Sequence, residues 1–192
     1  FIETGFRSGF LHLRFAFWFA FWGHLRSGVV WYHGADFPAM QASPCLYQKI
    51  DTMRQFLETA LEAASAASIP ILEYFHGSYV VETKSDQTPV TIADREAELA
   101  IRKVIRDRFP EHGIFGEEFG KSDRDSEYMW LIDPLDGTKS FVRGYGMFST
   151  QIALMHNDEI VVGVSNAPLM GELAWATRGG GAWVEGQGLR VS

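Results

Sequence analysis

The chain has 192 residues, of which 46% are hydrophobic and 21% are charged, and its formal net charge is -7. This length and composition suit one globular domain with a sizeable core. The negative charge argues against a protein that binds nucleic acid or an anionic membrane surface, because both partners require a basic face. The single cysteine, Cys45, cannot form a disulfide within the chain, which favours a reducing compartment such as the cytoplasm.

The first 52 residues differ in composition from the rest of the chain. The stretch FRSGFLHLRFAFWFAFWGHLR is crowded with Phe and Trp, and its unbroken apolar part is far shorter than the roughly 20 residues of a transmembrane helix. Three interpretations stay open, namely a segment extraneous to the functional protein, a signal sequence and a genuine extension. We favour the first, and we expect residues 1–52 to lie outside a domain formed by residues 53–192.

Regular patterns begin at Met53. Apolar residues recur at helical spacing from there to Phe75, with Pro70 as a kink or stop, and again in the segment TIADREAELAIRKVIRDRFP. Strand-like runs follow in GIFG and MWLID. A hairpin is predicted in residues 149–168, with a polar turn at His156-Asn157-Asp158, and glycine turns indicate further hairpins after it.

Two acidic residues follow an apolar run in WLIDPLDGTKSF. Asp133 and Asp136 lie in a turn that Pro134 shapes, so both side chains can point into one cavity. Two carboxylates at such a short distance repel each other when no cation is present, and this repulsion raises their pKa values. A divalent cation removes that repulsion, and hard oxygen ligands suit Mg²⁺. The Leu135 carbonyl lies between the two acids and can serve as a further ligand.

A second acidic turn, GEEFG, follows another strand-like run. Taken alone, Glu117 and Glu118 in this turn are more simply explained as a solvated acidic loop. If the two apolar runs form neighbouring strands, however, their ends meet, and the glutamates can join Asp133 and Asp136. Two acidic turns that each follow an apolar strand therefore favour a metal site.

Gly137 and Thr138 come directly after the second aspartate. Glycine lets the backbone approach a ligand closely, and the amides of a helical turn that starts here would favour an anion such as phosphate. Thr138 supplies a hydroxyl, and a capping role for it is compatible with phosphate binding. Asp94 stands three residues after Thr91 in TIAD, which is a capping-box pattern, and on local evidence alone this is its simpler role.

Four segments in order resemble a known family. The segments TKSDQTPVTIAD, GIFGEEFG, WLIDPLDGTKSF and GGGAWVEGQGLRVS have the order and spacing of the inositol monophosphatase family, and the resemblance covers residues 53–192. The sequences GEEFG and DGTKSF are most similar to those of the histidinol-phosphatase branch. The resemblance implies a Mg²⁺-dependent phosphomonoesterase with a layered α/β fold, in which helices pack on a large, mainly antiparallel sheet.

The resemblance also implies a role for each candidate residue. It implies metal ligation by Glu117, Asp133, the Leu135 carbonyl, Asp136 and, at a weaker position, Asp94. It implies catalytic residues that orient and deprotonate the attacking water or support the metal ligands, namely Asp94, Thr138 and Glu118. It implies contacts with the substrate at Asp136, Gly137 and Thr138.

The family continues past the position of Ser192 with a second α/β unit. A WD motif in that unit ligates a second metal, its neighbours contact the alcohol part of the substrate, and the full-length proteins form homodimers. We therefore expect the 192-residue chain to hydrolyse its small phosphorylated metabolite poorly. Histidinol phosphate, inositol monophosphate and a 3'(2'),5'-bisphosphate nucleotide stay open as substrates. The alternative from another class is a catalytically inactive fragment that binds metal or phosphate.

Overall fold

In the computed structural model of this chain, the described residues are 44–77, 81–83, 89–122 and 126–189. Helix α1 spans Pro44–His76 and continues through Pro70. Its start lies upstream of Met53, so the predicted boundary at Met53 does not mark the beginning of the helix. Residues 1–43 of the leader and residues 84–88, which include Lys84 and Asp86, lie outside the described residues. Among the helices that the structure describes, none has the length and apolar character needed to span a membrane.

Deleting residues 1–52 should leave the melting temperature unchanged. The deletion removes the first turns of α1, but the first described hydrophobic side chains of this helix that pack on the core lie beyond it, at the partly buried Met53 and the buried Phe56. A differential scanning measurement on the intact and shortened chains tests this expectation. A fall of several degrees, which corresponds to about 1 kcal/mol or more for a domain of this size, would show that the leader contributes to the fold.

A short strand pair leads into the second helix. Strand β1 (Val81–Thr83) pairs antiparallel with β2 (Pro89–Thr91), and α2 (Ile92–Arg108) follows at once. The helix ends just before Phe109-Pro110, as predicted, because proline cannot continue it. Helices α1 and α2 pack on each other. Both helices carry small buried side chains, namely Ala60, Ala63, Ala64 and Ala67 on α1 and Ala93 and Ala97 on α2.

Within the part of the chain that the structure describes, eight further strands form one large sheet. They are β3 (Gly113–Gly116), β4 (Gly120–Lys121), β5 (Tyr128–Asp136), β6 (Ser149–His156), β7 (Glu159–Ala167), β8 (Glu172–Thr177), β9 (Gly181–Val184) and β10 (Gln187–Gly188). Their order across the sheet is β10-β9-β8-β7-β6-β5-β3-β4, and every neighbouring pair is antiparallel except β3 and β5, which run parallel. This arrangement confirms the predicted layered α/β fold with a mainly antiparallel sheet.

The predicted hairpin between β6 and β7 is confirmed. Asn157 and Asp158 connect the strands, and both have positive φ angles, 49° and 64°. Two successive residues of this kind are typical of a type I′ turn, whose twist matches that of the flanking strands.

One face of the sheet forms the core with the two helices. Ile132 on β5 pairs with Ile152 on β6, which pairs with Val164 on β7, and all three are buried. Helix α1 contacts β6 and β7, and α2 contacts β5. Because side chains alternate along a strand, Asp133 lies on the opposite face from Ile132. The core therefore fixes the strand that carries the candidate aspartates.

A stack of aromatic rings lies at one end of this core. The His112 ring stacks on Phe109 and Tyr128, with ring centroids 4.6 and 4.7 Å apart. Its Nδ1 accepts a hydrogen bond of 3.1 Å from Nε1 of the fully buried Trp130. Burial lowers the pKa of His112 to about 4, from an ordinary value of 6.5. Protonation of Nδ1 would break the bond to Trp130 and bury a charge, so the native imidazole is neutral.

The free energy of unfolding should fall as the pH is lowered through the window from about 6.5 to about 4. The folded-state pKa of His112 is depressed, so in this window the unfolded chain binds the proton and the folded chain does not. We expect His112 to cost the wild type about 1–2 kcal/mol between pH 7 and pH 5. His112→Gln keeps an acceptor for Trp130 but does not titrate. Urea unfolding at both pH values should show a smaller loss for this variant, and equal losses would contradict the prediction.

Candidate metal and phosphate site

The two acidic turns emerge at one edge of the sheet. In the parallel pair β3–β5, Gly116 lies opposite Ile132, and the Glu117 amide donates a hydrogen bond of 3.1 Å to the Ile132 carbonyl. Glu117 and Asp133 therefore follow the last paired positions of neighbouring parallel strands. The structure confirms that the two apolar runs lie side by side and that their ends meet.

A β-bulge separates the two aspartates. Strand β5 pairs with β6 at Asp133↔Gln151 and next at Asp136↔Ser149, so β5 has one more residue than its partner between these positions. The hydroxyl of the fully buried Thr150 donates a hydrogen bond of 2.9 Å to the Pro134 carbonyl inside the bulge. Asp133 is buried, whereas Asp136 is half-buried. The bulge thus turns the strand end between the two acids.

Gly137 occupies a position that only glycine fits. It has a φ of 96° and directly precedes the short helix α3 (Thr138–Val142). A Cβ at this position would lie 2.7 Å from the Met147 carbonyl oxygen. The left-handed conformation and the close approach both exclude a larger residue, so the tight turn after Asp136 depends on this glycine.

Asp94 caps α2 and also contacts the turn after β5. One carboxylate oxygen, Oδ2, accepts hydrogen bonds from the Thr91 amide at 2.7 Å and the Thr91 hydroxyl at 2.6 Å. The other, Oδ1, accepts a hydrogen bond of 3.0 Å from the Thr138 hydroxyl. Burial raises the pKa of Asp94, although the hydrogen bonds from Thr91 and Thr138 oppose the shift. The capping box of TIAD is confirmed, and it leaves Oδ1 directed at the turn after β5.

The Thr138 hydroxyl lies between two acceptors. Its Oγ1 is 3.0 Å from Asp94 Oδ1 and 3.1 Å from the Leu135 carbonyl oxygen. A hydroxyl has one hydrogen, so the two acceptors share it or alternate. The Leu135 carbonyl has two lone pairs and can accept a second partner such as a cation. This geometry links Asp94, Thr138 and Leu135 into one polar cluster.

The predicted convergence of carboxylates is only partly present. Among residues 44–77, 81–83, 89–122 and 126–189, no three His, Cys, Asp or Glu side chains form a group that could hold a metal ion. The backbone brings Glu117, Asp133 and Asp136 to one edge, but their joint metal ligation stays a prediction. The donors fit Mg²⁺ in chemistry, because all of them are carboxylate or carbonyl oxygens.

Sequence reasoning missed two charged residues near the acidic turn. Glu98 is fully buried and Arg102 is 5% exposed, and together they form an ion pair on α2 with a separation of 2.7 Å. Helical spacing could have identified them in the sequence. It places Glu98 on the same face of α2 as Asp94 and Ile101, which are buried, whereas Glu96 is exposed.

The comparison with protein families agrees with this fold and geometry. A model of the inositol monophosphatase family matches residues 52–192. The match covers more than half of the chain and includes both acidic turns, Asp94 and the Gly137-Thr138 turn. The chain therefore belongs to the inositol monophosphatase family.

Individual proteins that are similar to this chain agree with this family assignment. A histidinol-phosphatase of Chlorobaculum parvum is 44% identical over 137 residues, which are 71% of this chain and 53% of the relative. A fructose-1,6-bisphosphatase/inositol-1-monophosphatase of Aquifex aeolicus is 35% identical over 74% of this chain and 54% of the relative. The solved structure of the extragenic suppressor protein suhB from Bartonella henselae superposes with a TM-score of 0.69 at 32% identity, covering 72% of this chain and 55% of that one. The chain thus spans about half the length of these relatives.

Proposed function

We propose that the chain carries the metal and phosphate site of a Mg²⁺-dependent phosphomonoesterase that acts on a small phosphorylated alcohol in the cytoplasm. The observation that carries the proposal is the 3.0 Å hydrogen bond between Thr138 and Asp94. It joins the start of α2 to the turn after β5, beside the bulge between Asp133 and Asp136. A helix cap alone does not require Asp94 Oδ1 to contact a residue 44 positions away.

Each candidate residue has a distinct task in the proposed reaction. The ligands of Mg²⁺ would be Glu117, Asp133, the Leu135 carbonyl and Asp136, with Asp94 at a weaker position and Glu118 in support. When bound, the cation activates water and neutralises charge on the phosphoryl group. The Thr138 hydroxyl accepts a hydrogen bond from the attacking water and orients it. As the water attacks, its proton passes to the Thr138 oxygen while the Thr138 proton passes to Oδ1 of Asp94, whose pKa is raised by burial. Asp136 and the Gly137-Thr138 amides contact the phosphate.

Two substrates are supported by the names of relatives. The Chlorobaculum parvum relative is named for histidinol phosphate and the Aquifex aeolicus relative for inositol 1-phosphate among others. We propose one of these phosphorylated alcohols, with a 3'(2'),5'-bisphosphate nucleotide as the alternative. A homodimer is proposed for the full-length protein, as in the family. The second candidate function is a fragment that binds metal or phosphate but has no activity. It stays a candidate because the chain matches only 53% of the length of the Chlorobaculum parvum relative.

A substrate panel tests the proposal. The purified chain is incubated with histidinol phosphate, inositol 1-phosphate or adenosine 3',5'-bisphosphate, with Mg²⁺ or with EDTA, and released phosphate is measured. Asp94→Asn, prepared in parallel, controls for contaminating phosphatases. Mg²⁺-dependent release that the variant lacks supports the enzyme. Thermal stabilisation by Mg²⁺ without release favours the binding fragment, and the absence of both contradicts the proposal.

A further inference from the structure

A buried ion pair on α2 holds the backbone of the acidic turn that follows β3. The fully buried Glu98 carboxylate accepts hydrogen bonds from the amides of Glu118 at 2.7 Å and Phe119 at 3.3 Å. It also accepts a hydrogen bond of 2.7 Å from Arg102 Nε, and Arg102 Nη2 donates one of 2.5 Å to the Gly120 carbonyl. The pair therefore contacts successive peptide groups of the turn.

The end of β3 is shaped around the same carboxylate. A Cβ on Gly116 would lie 1.9 Å from Glu98 Oε1, so any side chain there would displace the glutamate. Gly116 is the last residue of β3 and directly precedes Glu117. The first glycine of GEEFG is thus required because Glu98 occupies the space beneath it.

A gain in the stability of the fold does not by itself explain why Glu98 and Arg102 are buried as an ion pair. Removing two charges from water is costly, and well-packed apolar residues in place of a buried ion pair are often as stable or more stable. A buried pair does, however, fix geometry, since a change in the turn would leave its charges without partners. Asp94 lies one helical turn before Glu98 on the same buried face of α2 and contacts Thr138. One helix thus holds both acidic segments.

We infer that Glu98 and Arg102 are positioning residues, which hold the turn 117–120 so that Glu117 stays at the edge where Asp133 and Asp136 emerge. The inference rests on the proposed function for its link to the metal. Glu98 itself lies behind the turn, and its bonds to the Glu118 and Phe119 amides act through the backbone.

Glu98→Gln tests the inference in the full chain. Glutamine keeps the size of the side chain but has one acceptor oxygen instead of two and no charge to pair with Arg102. We expect faster amide hydrogen exchange at Glu118 and Phe119, and Mg²⁺ binding weaker by about tenfold or more, as is typical when a residue that orients a metal ligand is lost. Calorimetric titration measures the affinity for Mg²⁺. Arg102→Lys keeps the charge but has one nitrogen in place of the separate Nε and Nη2 that reach Glu98 and Gly120, so we expect it to lose one of these two contacts. It replaces Glu98→Gln if that variant fails to fold.

Ile101→Val is the matched control. Ile101 is fully buried on α2, so its shortening destabilises the same helix without removing a polar contact to the turn. Exchange at Glu118 and Phe119 that is no faster in Glu98→Gln than in Ile101→Val would overturn the inference. Faster exchange with unchanged Mg²⁺ affinity would also overturn it, because the pair would then be structural only. A wild type that binds no Mg²⁺ would instead overturn the proposed function, while amide exchange would still decide whether the pair holds the turn.

Discussion

Replacing Asp136 with asparagine should abolish the stabilisation that Mg²⁺ gives to the folded chain. A ligand that binds only the folded state raises the free energy of unfolding by about 2.7 kcal/mol when its concentration is a hundred times its Kd. Asparagine keeps the shape of the half-buried side chain at the end of β5 but removes the negative charge that would attract the cation. The melting temperature of the wild type should rise with Mg²⁺ concentration, and that of the variant should not.

The control for this experiment is Asp158→Asn. Asp158 is exposed in the turn between β6 and β7, has a φ of 64° that asparagine tolerates, and carries the same charge as Asp136. Because the chain has a net charge of -7, Mg²⁺ will also act through general screening. Ionic strength is therefore held constant with KCl. Two results would contradict the proposed site. One is a wild-type melting temperature that does not change with Mg²⁺ up to high millimolar concentrations, and the other is a rise in melting temperature with Mg²⁺ that persists in Asp136→Asn.

Local patterns were enough to predict most of the fold. The apolar run of WLID and the polar Asn157-Asp158 turn indicate a strand and a hairpin through patterns that act over a few residues. That β3 and β5 are neighbours was predicted only as a condition, and their parallel direction was not stated, because strand order depends on contacts between distant segments. The start of α1 at Pro44 was missed because the predicted boundary rested on composition, and a helix can run across a change in composition.

The candidate site shows the same division. TIAD predicted the capping box correctly, since the bonds between Thr91 and Asp94 are local. The contact from Asp94 to Thr138 spans 44 residues. The resemblance to a family implied only that both residues act on one water, and it did not give the direct hydrogen bond. Glu98 was overlooked because a Glu–Arg pair at i,i+4 spacing is usually an exposed surface feature. Helical spacing places Glu98 on the buried face, but its bonds to the Glu118 and Phe119 amides join segments 20 and 21 residues apart, which a local pattern does not predict.

Turnover should depend on Asp94 and Thr138 acting together through their hydrogen bond. Asp94→Asn should lower the turnover of whichever phosphate monoester the chain hydrolyses by about 10²–10⁴-fold, the usual contribution of a positioned general base. Thr138→Val, which removes the hydroxyl that donates to Asp94 Oδ1 at 3.0 Å, should cause a loss in the same range. Because both residues act on one water, the double variant should be hardly worse than either single one. Phosphate release under saturating Mg²⁺ measures all three.

Two controls separate this chemistry from the helix cap that Asp94 also provides. Thr138→Ser keeps the hydroxyl and should retain most of the turnover. Thr91→Val removes the 2.6 Å hydroxyl bond to Asp94 Oδ2 but keeps the Thr91 amide bond, so it should cost about 0.5–2 kcal/mol of stability and little turnover. If Thr91→Val lowers turnover as much as Asp94→Asn does, Asp94 acts through the position of α2 and not as a base. Fully additive losses in the double variant would likewise separate Asp94 from Thr138, because groups that share one water cannot contribute independently.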